Sequence, residues 1–255
     1  MSIKTKVLAA AATLTLVGGV GAAGALTAGT ASAATPSCGP ACIDIFSHQF
    51  GTHLHPNFVL DVLRQGEKVG QPIILFRAAN YDPAEDFTVA FQGTVADFYA
   101  AGLVSAAVAL HYGCIAGVNF PDCSAGVNDP AFEFEYAPFG ANSGLCVGVA
   151  ATAFSGEGVT LQSCGASSKT VWIADTADSP ATITHGYIPL INGSDTNFSH
   201  PFVLTYPASG YPTDTPRPQI VVTNLTGFSH GFPPGPVLSS VNANQLWGAD
   251  FGVLP

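Results

Sequence analysis

The sequence contains few charged residues and very few basic ones. Of its 255 residues 9% are charged, with 7 Lys and Arg against 17 Asp and Glu, which gives a net charge of −10 at pH 7. So little positive charge leaves no basic surface for a phosphate backbone, and nucleic acid is therefore excluded as an expected partner. The same deficit of positive charge argues against binding to an anionic membrane surface.

Long amphipathic helices are also missing from the pattern of apolar residues. Only Val95 to Tyr112 favours a short helix, while the rest consists of short apolar or alternating runs separated by Gly, Pro, Asn and Asp. These runs are 58–63, 72–76, 87–91, 131–136, 159–162, 171–174, 202–206 and 219–223. With 47% hydrophobic residues the chain is too apolar for disorder, and the pattern predicts an all-β protein.

Residues 1–33 have the composition of an export signal. Lys4 and Lys6 form a short basic start, 7–20 is apolar, and Ala31-Ser32-Ala33 offers small residues for cleavage. A transmembrane anchor is the less favoured interpretation, because glycines interrupt the apolar run. We expect a signal peptide, a secreted protein, and no membrane span in the mature chain. Loss of the two lysines leaves a net charge of −12.

Six cysteines lie in the predicted mature chain, residues 34–255. An even number of cysteines in an exported protein favours disulfides, and six cysteines allow 15 pairings. We expect three local disulfides because the cysteines fall in three couples: Cys38 with Cys42, Cys114 with Cys123, and Cys146 with Cys164. A zinc site is the competing interpretation, but these spacings lack the close paired cysteines of zinc knuckles.

Three segments of the chain are similar to one another in order and spacing. Their paired strands are 58–62 with 73–78, 145–149 with 159–164, and 202–206 with 220–225, and their closing aromatic residues are Phe87, Trp172 and Trp247. In place of Cys146 and Cys164, the other segments have Val59 with Ala78 and Val203 with Leu225. A disulfide and an apolar pair can both clamp adjacent strands, so one repeated unit accounts for all three segments.

These segments resemble the repeat unit of the ricin-B-like lectins. Leu145-Cys146-Val147 with 159–164 is similar to the family's disulfide-clamped hairpin, and Asn244-Gln245-Leu246-Trp247 matches its closing Gln-x-Trp motif. Phe58-Val59-Leu60-Asp61-Val62 is similar to the strand that carries the family's sugar-binding aspartate. The resemblance covers most of residues 55–252. It implies a β-trefoil of three repeats with long insertions, and binding of carbohydrate.

The resemblance also implies the domain organisation. A single β-trefoil domain would occupy 34–255, with repeats near 55–91, 143–175 and 201–252. Two stretches, 92–130 and 226–243, fall outside the repeat pattern as insertions. Long loops often carry function, but their sequences also vary freely, and we assign no role to either insertion.

The family's sugar site implies the candidate residues of the first repeat. That site combines an aspartate after the first strand, an aromatic platform in the hairpin, and an asparagine just before Gln-x-Trp. The first repeat has Asp61 and Phe76 at two of these positions, but Ala84 replaces the asparagine and Glu85-x-Phe87 replaces Gln-x-Trp. A turn carboxylate and a core aromatic are the structural alternatives for the first two residues.

The other two repeats are less complete. The third repeat has Asn244 and Gln245 but threonines at the aspartate and platform positions, Thr205 and Thr223. The second repeat has Gly148 and Gln162 at those positions, and we expect no sugar site there. The candidate ligand-binding residues are therefore Asp61, Phe76, Glu85, Asn244 and Gln245.

Motifs of hydrolases are absent from the sequence, which has no Gly-x-Ser-x-Gly elbow and no His-Glu-x-x-His. Glu133 and Glu135 alternate with aromatic residues, which places both carboxylates on one strand face about 6.6 Å apart at the backbone, near glycosidase separations. On a half-buried strand, however, we expect these side chains to face solvent, where no carboxyl pKa is raised. We therefore expect a non-enzymatic protein with no catalytic residues.

Histidines cluster once, at His48, His53 and His55. His53 and His55 could place two imidazoles on one side of an extended segment, but no carboxylate or cysteine follows at a spacing suited to a metal. We interpret them as polar residues at the start of the first strand, and we expect no metal and no cofactor.

Three hypotheses about function follow. The leading one is a secreted, non-enzymatic carbohydrate-binding protein with weak or degenerate sugar sites. The alternatives are a β-trefoil that serves as a structural or protein-interaction module without sugar binding and, less favoured, a secreted glycoside hydrolase. We make no prediction of the glycan or of the oligomeric state.

Overall fold

The computed structural model describes residues 42–50, 58–113, 129–174, 187–207, 217–226, 228–229, 235–236 and 241–250. The predicted signal peptide lies outside these ranges, as do His53 and His55. None of the helices among the described residues combines the length and apolar character that a membrane crossing requires.

Most strands in the described residues belong to three four-stranded repeats. Repeat one comprises β1 (Asp44–Ser47), β2 (Phe58–Val62), β3 (Ile73–Arg77) and β4 (Phe87–Thr94). Repeat two comprises β5 (Pro130–Tyr136), β6 (Leu145–Val149), β7 (Val159–Ser163) and β8 (Trp172–Ala174). Repeat three comprises β9 (Leu190–Asn192), β10 (Phe202–Thr205), β11 (Val221–Asn224) and β14 (Trp247–Asp250), and it also contains a two-stranded ribbon of β12 (Phe228–Ser229) and β13 (Gly235–Pro236).

The second and third strands of each repeat form a hairpin with the same register. The central facing pairs are Leu60 with Leu75, Val147 with Leu161, and Leu204 with Val222. Counting outward from these pairs gives two sets of equivalent positions: Val59, Cys146 and Val203, and Ala78, Cys164 and Leu225. The alignment predicted from the sequence is therefore confirmed in three dimensions.

The disulfide predicted for the second hairpin is present. Cys146 is bonded to Cys164 with their Cα atoms 4.9 Å apart. Cys42 is disulfide-bonded as well. Its predicted partner Cys38 lies outside the described residues, and so do Cys114 and Cys123. Within the part of the chain that the structure describes, no cysteine is free.

Backbone hydrogen bonds join the three hairpins to one another in a cycle. Val159 N donates to Ile220 O at 2.8 Å, which links the second hairpin to the third. Ile220 N donates to Ile73 O at 2.9 Å and links the third hairpin to the first. Leu161 N donates to Gln71 O at 2.8 Å and completes the cycle between the second and first. Such a closed arrangement is the threefold cap of a β-trefoil.

The first and fourth strands of the repeats close a barrel. Between repeats, β4 pairs with β5, β8 with β9, and β14 with β1, all antiparallel. Within repeats, β5 pairs with β8, while bridges from Ile43 to Phe87 and from Ile188 to Trp247 join the corresponding ends of the other two. Six strands thus form a closed ring, which removes free sheet edges. The predicted β-trefoil fold is confirmed by these pairings.

The closing aromatic residues meet in one core, as the repeat pattern predicts. Phe87, Trp172 and Trp247 are almost fully buried in the same hydrophobic cluster. Trp172 Nε1 donates to Val147 O at 2.9 Å, and Trp247 Nε1 donates to the equivalent Leu204 O at 2.8 Å. Buried Trp N–H groups need such partners, and the same contact in two repeats holds each closing strand against its own hairpin.

The insertion after repeat one begins with two short helices, where the sequence pattern predicted one. α1 (Val95–Ala100) starts with a capping box, in which Thr94 Oγ1 accepts from Asp97 N and the Asp97 carboxylate accepts from Thr94 N. α2 (Ala106–Tyr112) is capped by Ser105. Gly102, with φ +74°, lies between the helices and ends the first one. Their apolar residues pack on the outside of the barrel in a second hydrophobic cluster.

Candidate functional site

Three residues that the sequence singled out converge in repeat one. In the β2–β3 hairpin Asp61 faces Ile74 and Val59 faces Phe76, so Asp61 and Phe76 lie on the same face. Glu85 approaches from the loop before β4 and belongs to the same cluster of carboxyl groups as Asp61. The structure therefore brings together Asp61, Phe76 and Glu85, which are up to 24 residues apart in the sequence.

In repeat three the position equivalent to Glu85 is occupied by Gln245, which has a complete set of hydrogen bonds. There Gln245 Oε1 accepts from Thr226 N at 2.8 Å, and Gln245 Nε2 donates to Asn224 O at 2.8 Å and to Thr223 Oγ1 at 2.9 Å. Nε2 also lies 3.5 Å from Thr205 Oγ1. The buried amide thus uses both of its ends to join the third hairpin to the closing strand.

In repeat one the same position carries a carboxyl group. Glu85 Oε2 accepts from Ala79 N at 3.0 Å, which reproduces the contact of Gln245 Oε1 with Thr226 N. Glu85 Oε1, in the place of the amide nitrogen, is buried and has no hydrogen-bond partner. The exchange of Gln for Glu has replaced a donor by an acceptor in a buried position.

Asp82 completes a cluster of three carboxyl groups, and the sequence analysis did not single it out. One oxygen each of Asp61, Asp82 and Glu85 lies within 4.8 Å of the others. Asp82 Oδ1 accepts from Ala84 N at 3.0 Å and from Gln65 Nε2 at 3.3 Å. Asp61 and Glu85 are 4% and 2% exposed, whereas Asp82 is only half-buried. The run of acidic residues from 82 to 86 was the sequence signal that could have indicated this cluster.

Burial changes the acidity of this cluster. Desolvation raises the pKa of Glu85 to about 9, against the hydrogen bond from Ala79, and the neighbouring carboxylates raise it further. Desolvation and the charge of Asp82 raise the pKa of Asp61 to about 7, and the Arg217 guanidinium opposes that shift. At neutral pH the carboxyl groups of Glu85 and Asp61 therefore bind protons, unless another cation replaces these protons.

The aromatic platform predicted at Phe76 is partly covered. The guanidinium carbon of Arg217 lies 3.5 Å from the centre of the Phe76 ring, a stacking contact that cation–π attraction favours. Tyr81, which directly precedes Asp82 in the sequence, has a side chain that is 69% exposed. Its φ of 63° is uncommon for a bulky residue. No periodicity in the sequence indicated either Arg217 or Tyr81.

The predicted residues of repeat three are engaged within their own repeat. Asn244 Nδ2 donates to Tyr206 O at 2.8 Å, and Gln245 is buried with the hydrogen bonds described above. Thr205 Oγ1 and Thr223 Oγ1 are 2.9 Å apart and bond to each other. The side chains at the expected sugar-binding positions of this repeat are therefore paired with protein groups.

Backbone fills the corresponding position of repeat two. A Cβ on Gly148, the residue equivalent to Asp61, would lie 2.8 Å from Lys169 O and 2.9 Å from Thr170 Cγ2. Gln162, at the platform position, donates to Thr160 Oγ1 at 2.7 Å. An aspartate does not fit at Gly148 without moving the chain before β8.

The expectation that Glu133 and Glu135 face solvent is wrong. They are 2% and 6% exposed. Glu133 Oε1 accepts from Gly165 N at 3.0 Å and from the Thr170 hydroxyl, and Glu135 Oε1 accepts from Gly144 N at 2.7 Å. The alternation rule fails here because β5 is an inner strand of its sheet and turns of repeat two cover its second face. Both carboxylates anchor those turns.

Of the predicted histidine cluster, only His48 lies among the described residues. Its ring packs edge-on against Tyr187 with ring centres 4.4 Å apart. His53 and His55 lie outside the described residues.

Comparison with known proteins gives likenesses of structure only. No family model matches the chain, and no curated protein matches it by sequence. Among solved structures, it is similar to a designed 3-fold symmetric protein, ThreeFoil, with a TM-score of 0.45 and 12% identity over 82% of this chain and 97% of that one. It is also similar to a mosquitocidal holotoxin, with a TM-score of 0.46 and 10% identity. That likeness covers 82% of this chain but 17% of the toxin chain. The fold assignment depends on the strand pairings and not on these likenesses.

Proposed function

We propose that the protein is a secreted, non-enzymatic carbohydrate-binding β-trefoil whose sugar site lies in repeat one. The observation that carries the proposal is the convergence of Asp61, Phe76 and Glu85 on one hairpin. Sugar sites combine carboxylates that accept from hydroxyl groups with an aromatic face that packs against C–H groups. Among the described residues, carboxylates and an aromatic side chain come together in repeat one. In repeat three, the side chains at the equivalent positions are hydrogen-bonded to one another and to the backbone.

The details of the cluster favour a modified sugar site. Since Arg217 stacks on Phe76, we infer that Tyr81 supplies the exposed aromatic surface and that the guanidinium donates to sugar hydroxyls. Asp82, which is half-buried, accepts from them at the rim of the cluster. A site with so few contacts has a binding free energy near that of millimolar affinity, about −4 kcal/mol.

A polysaccharide pull-down and a glycan array with the secreted protein test this proposal. We expect wild type to bind at least one glycan, and Tyr81→Ala to weaken binding about tenfold or more, since an aromatic contact is lost. The matched control is Phe154→Ala, another exposed aromatic residue, 51% exposed, on a loop of repeat two. Equal retention of wild type and Tyr81→Ala would remove this site from the proposal.

A structural or protein-interaction module is the second candidate. It is favoured by the intramolecular pairing of Gln245 and Asn244 and by the backbone that closes the space at Gly148. Absence of binding to every glycan on the array would favour this alternative.

Secretion and the absence of catalysis have their own tests. N-terminal sequencing of protein from the culture medium should give Ala34 as the first residue. A panel of chromogenic glycosides should show no turnover by wild type. Turnover lost in Glu133→Gln, with the fold intact, would instead support the hydrolase hypothesis.

A further inference from the structure

We propose that Asp61, Asp82 and Glu85 form a binding site for one divalent cation, and that calcium is the cation that fits it. Asp61 comes from strand β2, and Asp82 and Glu85 come from the loop before β4, which is joined to β2 by the hydrogen bond from Val62 N to Ala84 O at 2.9 Å. The proposal does not depend on sugar binding, because every ligand named is a group of this chain.

The spacing of the oxygens fits calcium. Calcium binds oxygen ligands at 2.3–2.6 Å, so two oxygens on opposite sides of the ion are separated by no more than about 5 Å. The three oxygens lie within 4.8 Å of one another. Magnesium binds at 2.0–2.1 Å, demands near-octahedral geometry and is usually held by one or two carboxylates together with several waters. Calcium takes six to eight oxygen ligands in flexible geometry, so a cluster of three carboxyl groups favours calcium.

The unpartnered oxygen of Glu85 is the second and independent indication of a ligand. Its counterpart in repeat three, Gln245 Nε2, points toward Thr205 Oγ1 and donates to Thr223 Oγ1. In repeat one Asp61 takes the place of Thr205. The carboxyl oxygens of Glu85 and Asp61, both acceptors when ionised, therefore replace the amide donor of Gln245 and the hydroxyl acceptor of Thr205. A buried acceptor without a partner costs about 1–3 kcal/mol, more when it is charged. A cation between the carboxylates supplies the positive charge that the amide hydrogens supply in repeat three.

A second exchange removes a competing donor from the cluster. Val62 N donates to Ala84 O at 2.9 Å, just as Tyr206 N donates to Asn244 O at 3.0 Å, so Ala84 and Asn244 are equivalent. The side-chain amide present in repeat three is therefore missing beside Glu85. Oxygen atoms dominate the cluster, and the partial exposure of Asp82 connects it to solvent.

Charge also favours a cation at this place. The charges of Asp82, Asp61 and Asp44 all act unfavourably on an ionised Glu85. In the described part of the chain, Arg217 is the basic residue whose charge acts on Asp61. It is held over the Phe76 ring. When the three carboxyl groups are ionised, one guanidinium leaves an excess of negative charge, which a divalent ion neutralises in place of protons.

Calorimetric titration of the chelator-treated, secreted protein with CaCl2, in the absence of any glycan, tests the site. We expect one site with a Kd near 10⁻⁴ M, the range of extracellular calcium modules, and weaker binding of MgCl2 by tenfold or more. At 5 mM CaCl2 the Tm should rise by about 5 °C. Absence of calcium binding by the folded wild type would overturn the proposal, and a proton would then be the cation shared by Glu85 and Asp61.

Glu85→Gln is the decisive variant because it restores the amide of repeat three. It should fold, with a Tm above that of calcium-free wild type, and lose at least tenfold in calcium affinity. Asp195→Asn is the matched control, a buried carboxyl outside the cluster, and should bind calcium as wild type does. Unchanged calcium affinity in Glu85→Gln would overturn the assignment of this residue. Calcium binding without glycan binding would uphold this site and remove the proposed sugar site.

Discussion

A single exchange of residue type distinguishes the polar centres of repeats one and three. Gln245 uses its amide nitrogen and oxygen to connect both strands of its hairpin, whereas Glu85 keeps the contact of one oxygen and leaves the other unpartnered. Two side chains of similar shape in equivalent backbone positions, Gln245 and Glu85, thus differ in their hydrogen bonding. The first is a closed structural contact, and the second is a group available to a ligand.

Gln245→Glu should reverse this difference and destabilise repeat three. The new oxygen would face the carbonyl of Asn224, and a buried acceptor without a donor costs about 1–3 kcal/mol. Denaturant unfolding should show this loss of free energy of unfolding. Gln162→Glu, a half-buried amide with one side-chain partner, is the control and should change stability by less than about 1 kcal/mol. Equal effects of the two substitutions would contradict the role assigned to Gln245.

At the scale of elements, the surroundings of β5 explain why the predicted solvent exposure of Glu133 and Glu135 is wrong. An alternating pattern predicts one buried and one exposed face, and this holds for strands with solvent on one side. Here turns of repeat two return over the outer face, and the two glutamates serve them as hydrogen-bond acceptors. The predicted strands did not include five short elements, β1, β9, β12, β13 and β14, which have two to four residues each. Strands of similar length, β8, β10 and β11, were predicted because they lie in longer apolar runs of the repeats.

The hairpins, by contrast, were predictable from sequence. Their registers follow the apolar alternation, and the Cys146–Cys164 pair marks the equivalent positions. Asp61, Phe76 and Glu85 could be identified because they lie in these repeats. Asp82 and Arg217 could not, since a loop and a distant segment bring them to the cluster without any repeated pattern.

Glu133→Ala should destabilise the turn that precedes β8. The substitution leaves Gly165 N without its side-chain acceptor and removes one of two acceptors of the Thr170 hydroxyl, which keeps Ser167 O at 3.0 Å. The loss should cost about 1–3 kcal/mol. Hydrogen exchange should then increase at Gly165 first. Glu67→Ala, an exposed glutamate, is the control and should have little effect. A fold as stable as wild type would contradict the anchoring role.

At the scale of the whole molecule, folding buries ionisable groups that would be charged in water at neutral pH. Asp195 is fully buried after β9, and desolvation raises its pKa to about 6 in spite of backbone hydrogen bonds that oppose the shift. The folded state therefore holds this proton more tightly than the unfolded chain does. Its contribution to stability is complete below about pH 4 and is lost as the pH rises through about 6.

Comparison of wild type with Asp195→Asn isolates this contribution. Between pH 4 and pH 7 the free energy of unfolding of wild type should fall by up to about 3 kcal/mol more than that of the variant, which has no proton to lose. Urea unfolding at both pH values measures the difference. Parallel pH profiles for the two proteins would show that Asp195 keeps an ordinary pKa.

The pairing of β1 with β14 joins the first and last described strands of the trefoil over four residues on each side. Repeat one is therefore as close a neighbour of repeat three as it is of repeat two. In three dimensions the repeats form a ring, and their order along the chain is one of three equivalent ways to thread it. Circularly permuted chains that start at repeat two or repeat three would retain every inter-repeat pairing described above.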